Sequence, residues 1–379
     1  MLVTVIPRHI QRLLAQRMHD PKAIIVLGPR QVGKTTLIQS IAAEIPNVLW
    51  LTGDDPDTKA LLDGATSTRL KALLEGRGLL VIDEAQRIPD IGLKIKLITD
   101  HVPGTKVIAT GSSSLELAHH TREALTGRKW EYRMLPLSYS ELALHFGRLE
   151  ERRMLLHRLV YGAYPEVVVH PGNAEDVLIQ LADSYLFKDI LWLESIKRPD
   201  ALVRLVQAIA YQLGNEVSLN ELSRTTGIDV KTVDKYLSIL EQAFVIFRMG
   251  SFSRNLRSEL NQARKIYFYD NGIRNAVIRQ FQPFGNRQDV GALWENFLMA
   301  ERQKMKAYGQ LRANSWFWRT HRQVELDLLE ESDGLLQAFE FKWNSAQKVK
   351  LPKAFAEAYP DATFQVVHPD NFEEFLGLA

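Results

Sequence analysis

Cysteine is absent from all 379 residues, which excludes a disulfide framework, a thiol nucleophile and a thiolate zinc site. No apolar run is long enough to span a bilayer. Met1 to Arg8 lacks the charged leader, long apolar centre and small-residue cleavage site of a signal peptide. A cytoplasmic location without membrane association is the expectation. An excess of one charge sign is also lacking, since 47 basic residues stand against 45 acidic ones, and a net charge of +2 is too mild to announce a nucleic-acid partner by itself. The ten histidines form no pair at helical metal-ligand spacing beside a carboxylate. His119 and His120 are adjacent and therefore on different helix faces. No serine–histidine arrangement argues for nucleophilic catalysis, and there are no convincing repeats or low-complexity segments. The remaining composition is that of an ordinary globular chain long enough for two or three domains.

The most informative segment is Gly28, Pro29, Arg30, Gln31, Val32, Gly33, Lys34 and Thr35, which fits the phosphate-loop pattern GxxxxGK[ST]. Its chemistry is specific. Glycines let backbone N–H groups turn towards phosphate oxygens, the lysine reaches the β- and γ-phosphates, and the threonine hydroxyl faces Mg²⁺. The flanks suit it, because Ala23–Leu27 reads as a buried parallel strand and a helix expected from Thr36 would point its N-terminus at the anion. ATP and Mg²⁺ are the expected cofactors.

Further strands are expected at Val48–Leu51, Leu79–Ile82, Lys106–Thr110 and Trp130–Leu135, and this alternation with helical stretches implies a parallel sheet. The run from Leu79 ends in Asp83 and Glu84. In a phosphate-loop protein the first can hold the Mg²⁺ shell, while the second orients the attacking water. Ser112 and Ser113, after the next strand, can reach the γ-phosphate or position water; a helix-capping turn is the other reading. Arg128, in Leu125-Thr-Gly-Arg128, can stabilise charge on a neighbouring subunit's γ-phosphate.

The succession GPRQVGKT, LLVIDEAQ, ATGSSS, LTGR and LPLSYSEL resembles the AAA+ ATPase domain of a prokaryotic family of two-part ATP-binding proteins. Tyr161-Gly-Ala-Tyr-Pro-Glu-Val-Val and Ser184-Tyr-Leu-Phe-Lys-Asp-Ile resemble the segments that follow it. The resemblance implies that Lys34 and Thr35 are Walker A residues, Asp83 and Glu84 the Walker B pair, Ser112 or Ser113 the sensor, and Arg128 a candidate finger. AAA+ domains usually work as rings, so it also implies a homo-oligomer, with a hexameric ring among the forms open to it.

Downstream, Ser218 and Glu221 predict a capping box, Gly227 a tight turn, and Val233, Leu237 and Leu240 a second helix with one apolar face. Lys231, Thr232, Lys235 and Ser238 fall largely on its other faces, and Phe244–Met249 reads as a following strand. That is a winged helix-turn-helix, able to meet a major groove or to act as a lid or subunit contact. Between Arg248 and Lys265, Arg248, Arg254, Arg257, Arg264 and Lys265 stand against Glu259, a basic stretch that faces either phosphates or plain solvent. Tyr267, Phe268 and Tyr269 read as core rather than as a base-stacking platform.

At the C-terminus, Val324–Leu329, a turn at Glu331–Gly334, and Leu336–Trp343 form a hairpin. Period-two alternation puts Glu325 with Asp327, and Glu340 with Lys342. Asp327 and Glu340 can then bind Mg²⁺ while Lys342 assists electrostatically; solvent-facing charges are the alternative. With Glu295 on the preceding helix and Trp316–Arg319 in the first strand, the region resembles the PD-(D/E)xK nuclease-like fold. That resemblance implies Glu295, Asp327, Glu340 and Lys342 as its active-site positions, with Leu326 where the fold's name has proline.

The expected fold class is α/β: a P-loop AAA+ parallel sheet, a helical and winged-helix segment, and an α/β restriction-endonuclease-like domain. The expected bounds are 1–147, 148–214, 215–262 and 263–379. The expected function is Mg²⁺-dependent ATP hydrolysis coupled to binding and remodelling or translocation of branched or duplex DNA, with a metal-dependent nuclease activity at the C-terminus. The alternative is a nucleotide-controlled switch whose C-terminal domain binds DNA or a protein without cleavage.

Overall fold

The computed structural model of the chain describes residues 5–112, 125–184, 196, 198–253, 264–320 and 324–378. Ser113, His119, His120, Arg254, Arg257 and Glu259, with the segment following Ser184, lie outside them. The chain divides into two compact units, Met1–Leu137 with Gln242–Phe244, and Ser138–Glu241 with Val245–Ala379. Among the described residues no helix is long and apolar enough to cross a membrane.

In the first unit, strands β1 (Ala23–Leu27), β2 (Val48–Thr52), β3 (Leu79–Asp83), β4 (Lys106–Gly111) and β5 (Lys129–Arg133) form one sheet in the order β2-β3-β4-β1-β5. Every pairing is parallel. All five residues of β1 are apolar and buried, as a central strand covered on both faces requires. The helices supply apolar faces at three- and four-residue spacing: Leu37, Ile38 and Ile41 in Lys34–Ala42, and Ile91, Ile95 and Ile98 in Ile91–His101. The first of these begins at Lys34, two residues ahead of the expected Thr36, with Gly33 in the left-handed region at φ 90° as its N-cap.

The second unit opens on helix Tyr139–Phe146, whose Ser138 and Glu141 form a reciprocal capping box. Glu141 N donates to Ser138 Oγ at 3.2 Å and Ser138 N donates to Glu141 Oε2 at 2.9 Å. The box expected at Ser218 and Glu221 does not form. Helix Leu219–Thr226 does start there, but Ser218 makes no side-chain cap bond, and Glu221 Oε1 instead accepts from Gln212 Nε2 at 2.9 Å. A carboxylate recruited by a neighbouring helix is not available to its own N-terminus. Gly227 closes that helix at φ 69°, a conformation open to glycine without Cβ penalty. Helix Val230–Gln242 follows, burying Val233, Leu237 and Leu240 as expected.

Strands β6 (Glu216–Val217), β7 (Ile246–Gly250) and β8 (Arg264–Phe268) make an antiparallel sheet in the order β6-β8-β7. Tyr267, Phe268 and Tyr269 are buried. Helix Val290–Ala307 leads to a second sheet, ordered β12-β11-β10-β9, built from β9 (Asn314–Arg319), β10 (Glu325–Ser332), β11 (Leu335–Phe341) and β12 (Thr363–Val367). The expected hairpin is β10 with β11, antiparallel, and β12 joins β11 in parallel. Trp318, Leu326, Leu329, Ala338 and Phe355 pack one core there, and fully buried Trp294 stacks on Phe297 and meets Trp343 edge-on.

Candidate functional site

The phosphate-loop segment leaves the C-terminal end of β1, beside the ends of β4 and β5. Gly28 N donates to Gly111 O at 3.2 Å, and a Cβ at Gly28 would stand 2.0 Å from Met134 O, so glycine alone allows this approach of backbone to backbone. Lys34 is buried and its Nζ donates to Gly28 O at 2.7 Å and Pro29 O at 2.8 Å. Burial pulls its ammonium down to about 8, with Glu84 and Asp83 opposing the shift. Thr35 Oγ1 donates to Asp83 Oδ2 at 2.9 Å, joining loop to β3 across 48 residues of sequence. Gln31 and Thr36 are exposed, Arg30 is half-buried and Val32 is buried.

Around the carboxylates a short network forms. Thr110 Oγ1 donates to Asp83 Oδ1 and accepts from Glu84 N at 3.0 Å. Glu84 stands at φ 47°, a left-handed region that side-chain-bearing residues adopt at a cost. Gln86 Nε2 donates both to Glu84 Oε2 at 2.6 Å and to Ser112 Oγ at 2.9 Å. The structure thus brings Lys34, Thr35, Asp83, Glu84 and Ser112 to one end of the sheet. Gln86 had drawn no role from sequence, although it closes the DEAQ run. Arg8 was missed altogether: its guanidinium donates to Val32 O at 2.7 Å and Leu135 O at 2.6 Å, pinning the loop from an N-terminal segment that carries no motif.

Arg128 is not part of this group. Ala23 N donates to Arg128 O at 2.9 Å, which sets the arginine beside the start of β1, one strand length or about 16 Å from the loop at a rise of ~3.3 Å per residue. Its Nε donates to Asp100 Oδ1 at 2.7 Å. Asp100 lies below the usual carboxylate range chiefly because of that bond.

Oxygen donors suit Mg²⁺, and the Thr35 hydroxyl beside the Asp83 carboxylate is such a pair, so the residues at the loop fit the ion that accompanies a nucleotide. The second unit differs. Glu295, Asp327, Glu340 and Lys342 do gather, but Lys265 of β8 stands among the acids. Its Nζ bonds to Glu325 Oε1 and lies 3.2 Å from Glu295 Oε1 and 3.9 Å from Asp327 Oδ1. Tyr267 OH donates to Glu295 Oε1 at 2.6 Å, Phe341 N to Asp327 Oδ2 at 2.8 Å, and Lys342 Nζ to Glu340 Oε1 at 2.7 Å. Asp327 is buried, and beside it β10 carries an irregularity between Leu326 and Leu329 against β9.

Electrostatics agree with that arrangement. Burial alone would depress Lys265, but Glu295, Asp327 and Glu325 outweigh it and raise its pKa, keeping the ammonium. Burial first, then Asp327, pushes Glu295 up to about 7. The two shifts pull apart, and the geometry favours the charged lysine, since Glu295 shares a single oxygen between Lys265 and Tyr267. Among the described residues no group of three or more histidine and carboxylate side chains is placed to hold a metal ion, and with Lys265 inside the cluster the acids do not fit one.

The basic stretch also reads differently in three dimensions. Arg248 pairs with Asp234 at 2.6 Å and with Glu241 at 2.5 Å, and Lys265 is buried. Of its described members, only Arg264 keeps a largely exposed side chain, at 42%. Arg248 and Lys265 are internal counter-ions rather than a phosphate-facing surface.

Comparison with known proteins accords with the fold. Residues 20–143 match the model of an AAA domain, residues 152–283 a domain of unknown function (DUF8612), and residues 290–375 another (DUF4143). An uncharacterized protein of Mycobacterium tuberculosis and one of Mycobacterium bovis are each 26% identical over 342 residues, 89% of this chain and 74% of theirs. An uncharacterized protein of Haemophilus influenzae is 24% identical over 293 residues, 69% of this chain and 71% of its own. Among solved structures, a Walker-type ATPase of Pyrococcus abyssi superposes with a TM-score of 0.52 at 17% identity, over 72% of this chain and 96% of that one. The chain is α/β, and its N-terminal part is an AAA-type P-loop ATPase domain.

Proposed function

We propose that this chain hydrolyses ATP with Mg²⁺ and uses the nucleotide state to control DNA binding by its helix-turn-helix segment, without cutting the DNA. The bond of Thr35 to Asp83 carries the first half, because it sets the two oxygen ligands of a nucleotide-bound Mg²⁺ side by side. Bound there, the ion would offset charge on the β- and γ-phosphate oxygens. Lys34 binds those phosphates, the loop residues Gly28 to Thr36 enclose them, and Glu84 orients the attacking water. Gln86 and Ser112 fix where that carboxylate points. Arg128, set far from its own loop, acts on the site of a neighbouring copy in a homo-oligomer.

The second half is supported by the succession of helices Leu219–Thr226 and Val230–Gln242 with the β6-β8-β7 sheet, which we read as a winged helix-turn-helix. Lys231 and Lys235 are exposed on its second helix. The lysine-filled acid cluster favours binding over cleavage. Lys34→Ala should abolish phosphate release in a coupled ATPase assay while leaving the fold intact. Wild-type turnover in that variant would end the assignment. Anisotropy with labelled duplex and four-way DNA, with ATP and with ADP, checks the coupling; affinities identical in both states would leave no switch.

A further inference from the structure

Four carboxylates in the second unit, Glu295, Glu325, Asp327 and Glu340, are the residue types of a divalent-ion site, yet donors of the chain itself reach each of them, Glu340 through Oε1 alone with its Oε2 buried and unpartnered among the described residues. Lys265 comes from β8, the central strand of its sheet, and its side chain is only 2% exposed. Alternation along that strand puts Tyr267 on the same face, and both donate to Glu295 Oε1, at 3.2 and 2.6 Å. Lys265 also reaches Glu325 and Asp327, while Lys342 holds Glu340 and the Phe341 amide holds Asp327. Mg²⁺ or Mn²⁺ shared by Glu295 and Asp327 needs their oxygens about 2.0–2.2 Å away. The ammonium lies within 4 Å of an oxygen of each, at 3.2 Å from Glu295 and 3.9 Å from Asp327, and repels a second cation.

We propose that Lys265 is the resident cation of this cluster, standing where a divalent ion would and closing the site to metal. The acids then serve as a buried ionic joint between β8, helix Val290–Ala307 and the β9–β12 sheet, and not as a hydrolytic centre. Removing Lys265 leaves its acids as uncompensated buried charges that are then free to shift and close on a divalent ion, so loss of the lysine should create the metal site that its presence prevents. The phosphate loop plays no part in this closure.

The test is Mn²⁺ titration of the full chain without nucleotide, followed by the electron paramagnetic resonance of free Mn²⁺. An Asp83→Asn background removes the loop's own ligand. With Lys265 intact, this chain should bind no Mn²⁺ up to about 1 mM, and adding Asp327→Asn should change nothing. Lys265→Gln or Lys265→Met should gain about one ion per chain, a gain lost again on adding Asp327→Asn. Mn²⁺ binding by the Lys265 chain that disappears with Asp327→Asn would overturn the proposal. So would a Lys265 variant that is folded by circular dichroism and binds no ion. The two chains retaining Lys265 decide the matter even where its replacements fail to fold.

Discussion

Arg8 offers the sharpest check on how the nucleotide loop is held. Its guanidinium is buried and donates to a loop carbonyl, Val32 O, and to Leu135 O just beyond β5. Arg8→Met keeps the apolar stem and removes both bonds. Hydrogen bonds to a charged group contribute about 1.5–3 kcal/mol each, so the gross loss is about 3–6 kcal/mol. Removing the cation also removes its own desolvation cost, which brings the net to about 3 kcal/mol. For a domain of this size that lowers the melting temperature of the first unit by about 6–12 °C. If half of the loss falls on the loop, ATP binding weakens about tenfold. Scanning calorimetry of the full chain, with ATP titrated by fluorescence of a labelled analogue, reads both quantities. A variant that melts and binds ATP like wild type would refute the idea that Arg8 organises the loop.

Other outcomes follow from single side chains. Arg128→Ala and Lys34→Ala should each lose turnover, the first by ~10³-fold or more, yet a mixture of the two should recover part of it, since an intact arginine then meets an intact loop; a mixture as inactive as its parts would place Arg128 outside the reaction. Lys231→Glu with Lys235→Glu should weaken duplex binding and flatten its salt dependence by about 0.9 in log–log slope for each phosphate no longer neutralised, whereas an unchanged slope would move DNA off that helix. Asp270 is buried, accepts from Ala163 N at 2.8 Å and Ile273 N at 3.2 Å, and burial raises its pKa above 3.8. The folded state therefore keeps that proton longer than the unfolded chain, and this carboxyl's contribution to stability falls as pH climbs between 3.8 and the raised value. Subtracting the urea-unfolding profile of Asp270→Asn from that of wild type should isolate this fall, and a flat difference would show that the carboxyl is not desolvated.

The first unit was largely legible because its signals are local. A run of five apolar residues, two glycines and a lysine at fixed spacing specify strand, turn and helix within one βα connection. Asp83 was readable for the same reason, at the end of an apolar strand. Gln86 and Arg8 were not, because what they do depends on Ser112 and on Leu135, distant in sequence and brought close only by strand order. Ser218 with Glu221 shows the opposite failure. The four-residue signature was complete, but Gln212 competes for the glutamate, and a pattern says nothing about a rival from the preceding helix.

The C-terminal hairpin carries the same lesson into chemistry. Period two correctly paired β10 with β11 and gathered Asp327, Glu340 and Lys342, yet those residues do not by themselves define what the cluster does. A carboxylate set binds a metal only where its charge is unspent, and that charge depends on every cation the fold delivers, whatever its place in the sequence. Lys265 had been assigned to a surface stretch because its neighbours in sequence are basic. Strand alternation turns it the other way, inward with Tyr267, so one residue leaves the phosphate-facing surface and enters the acid cluster together. Both halves of the DNA-cutting expectation therefore weaken through the same side chain, while the ATPase half, built on contacts within the first unit, is untouched.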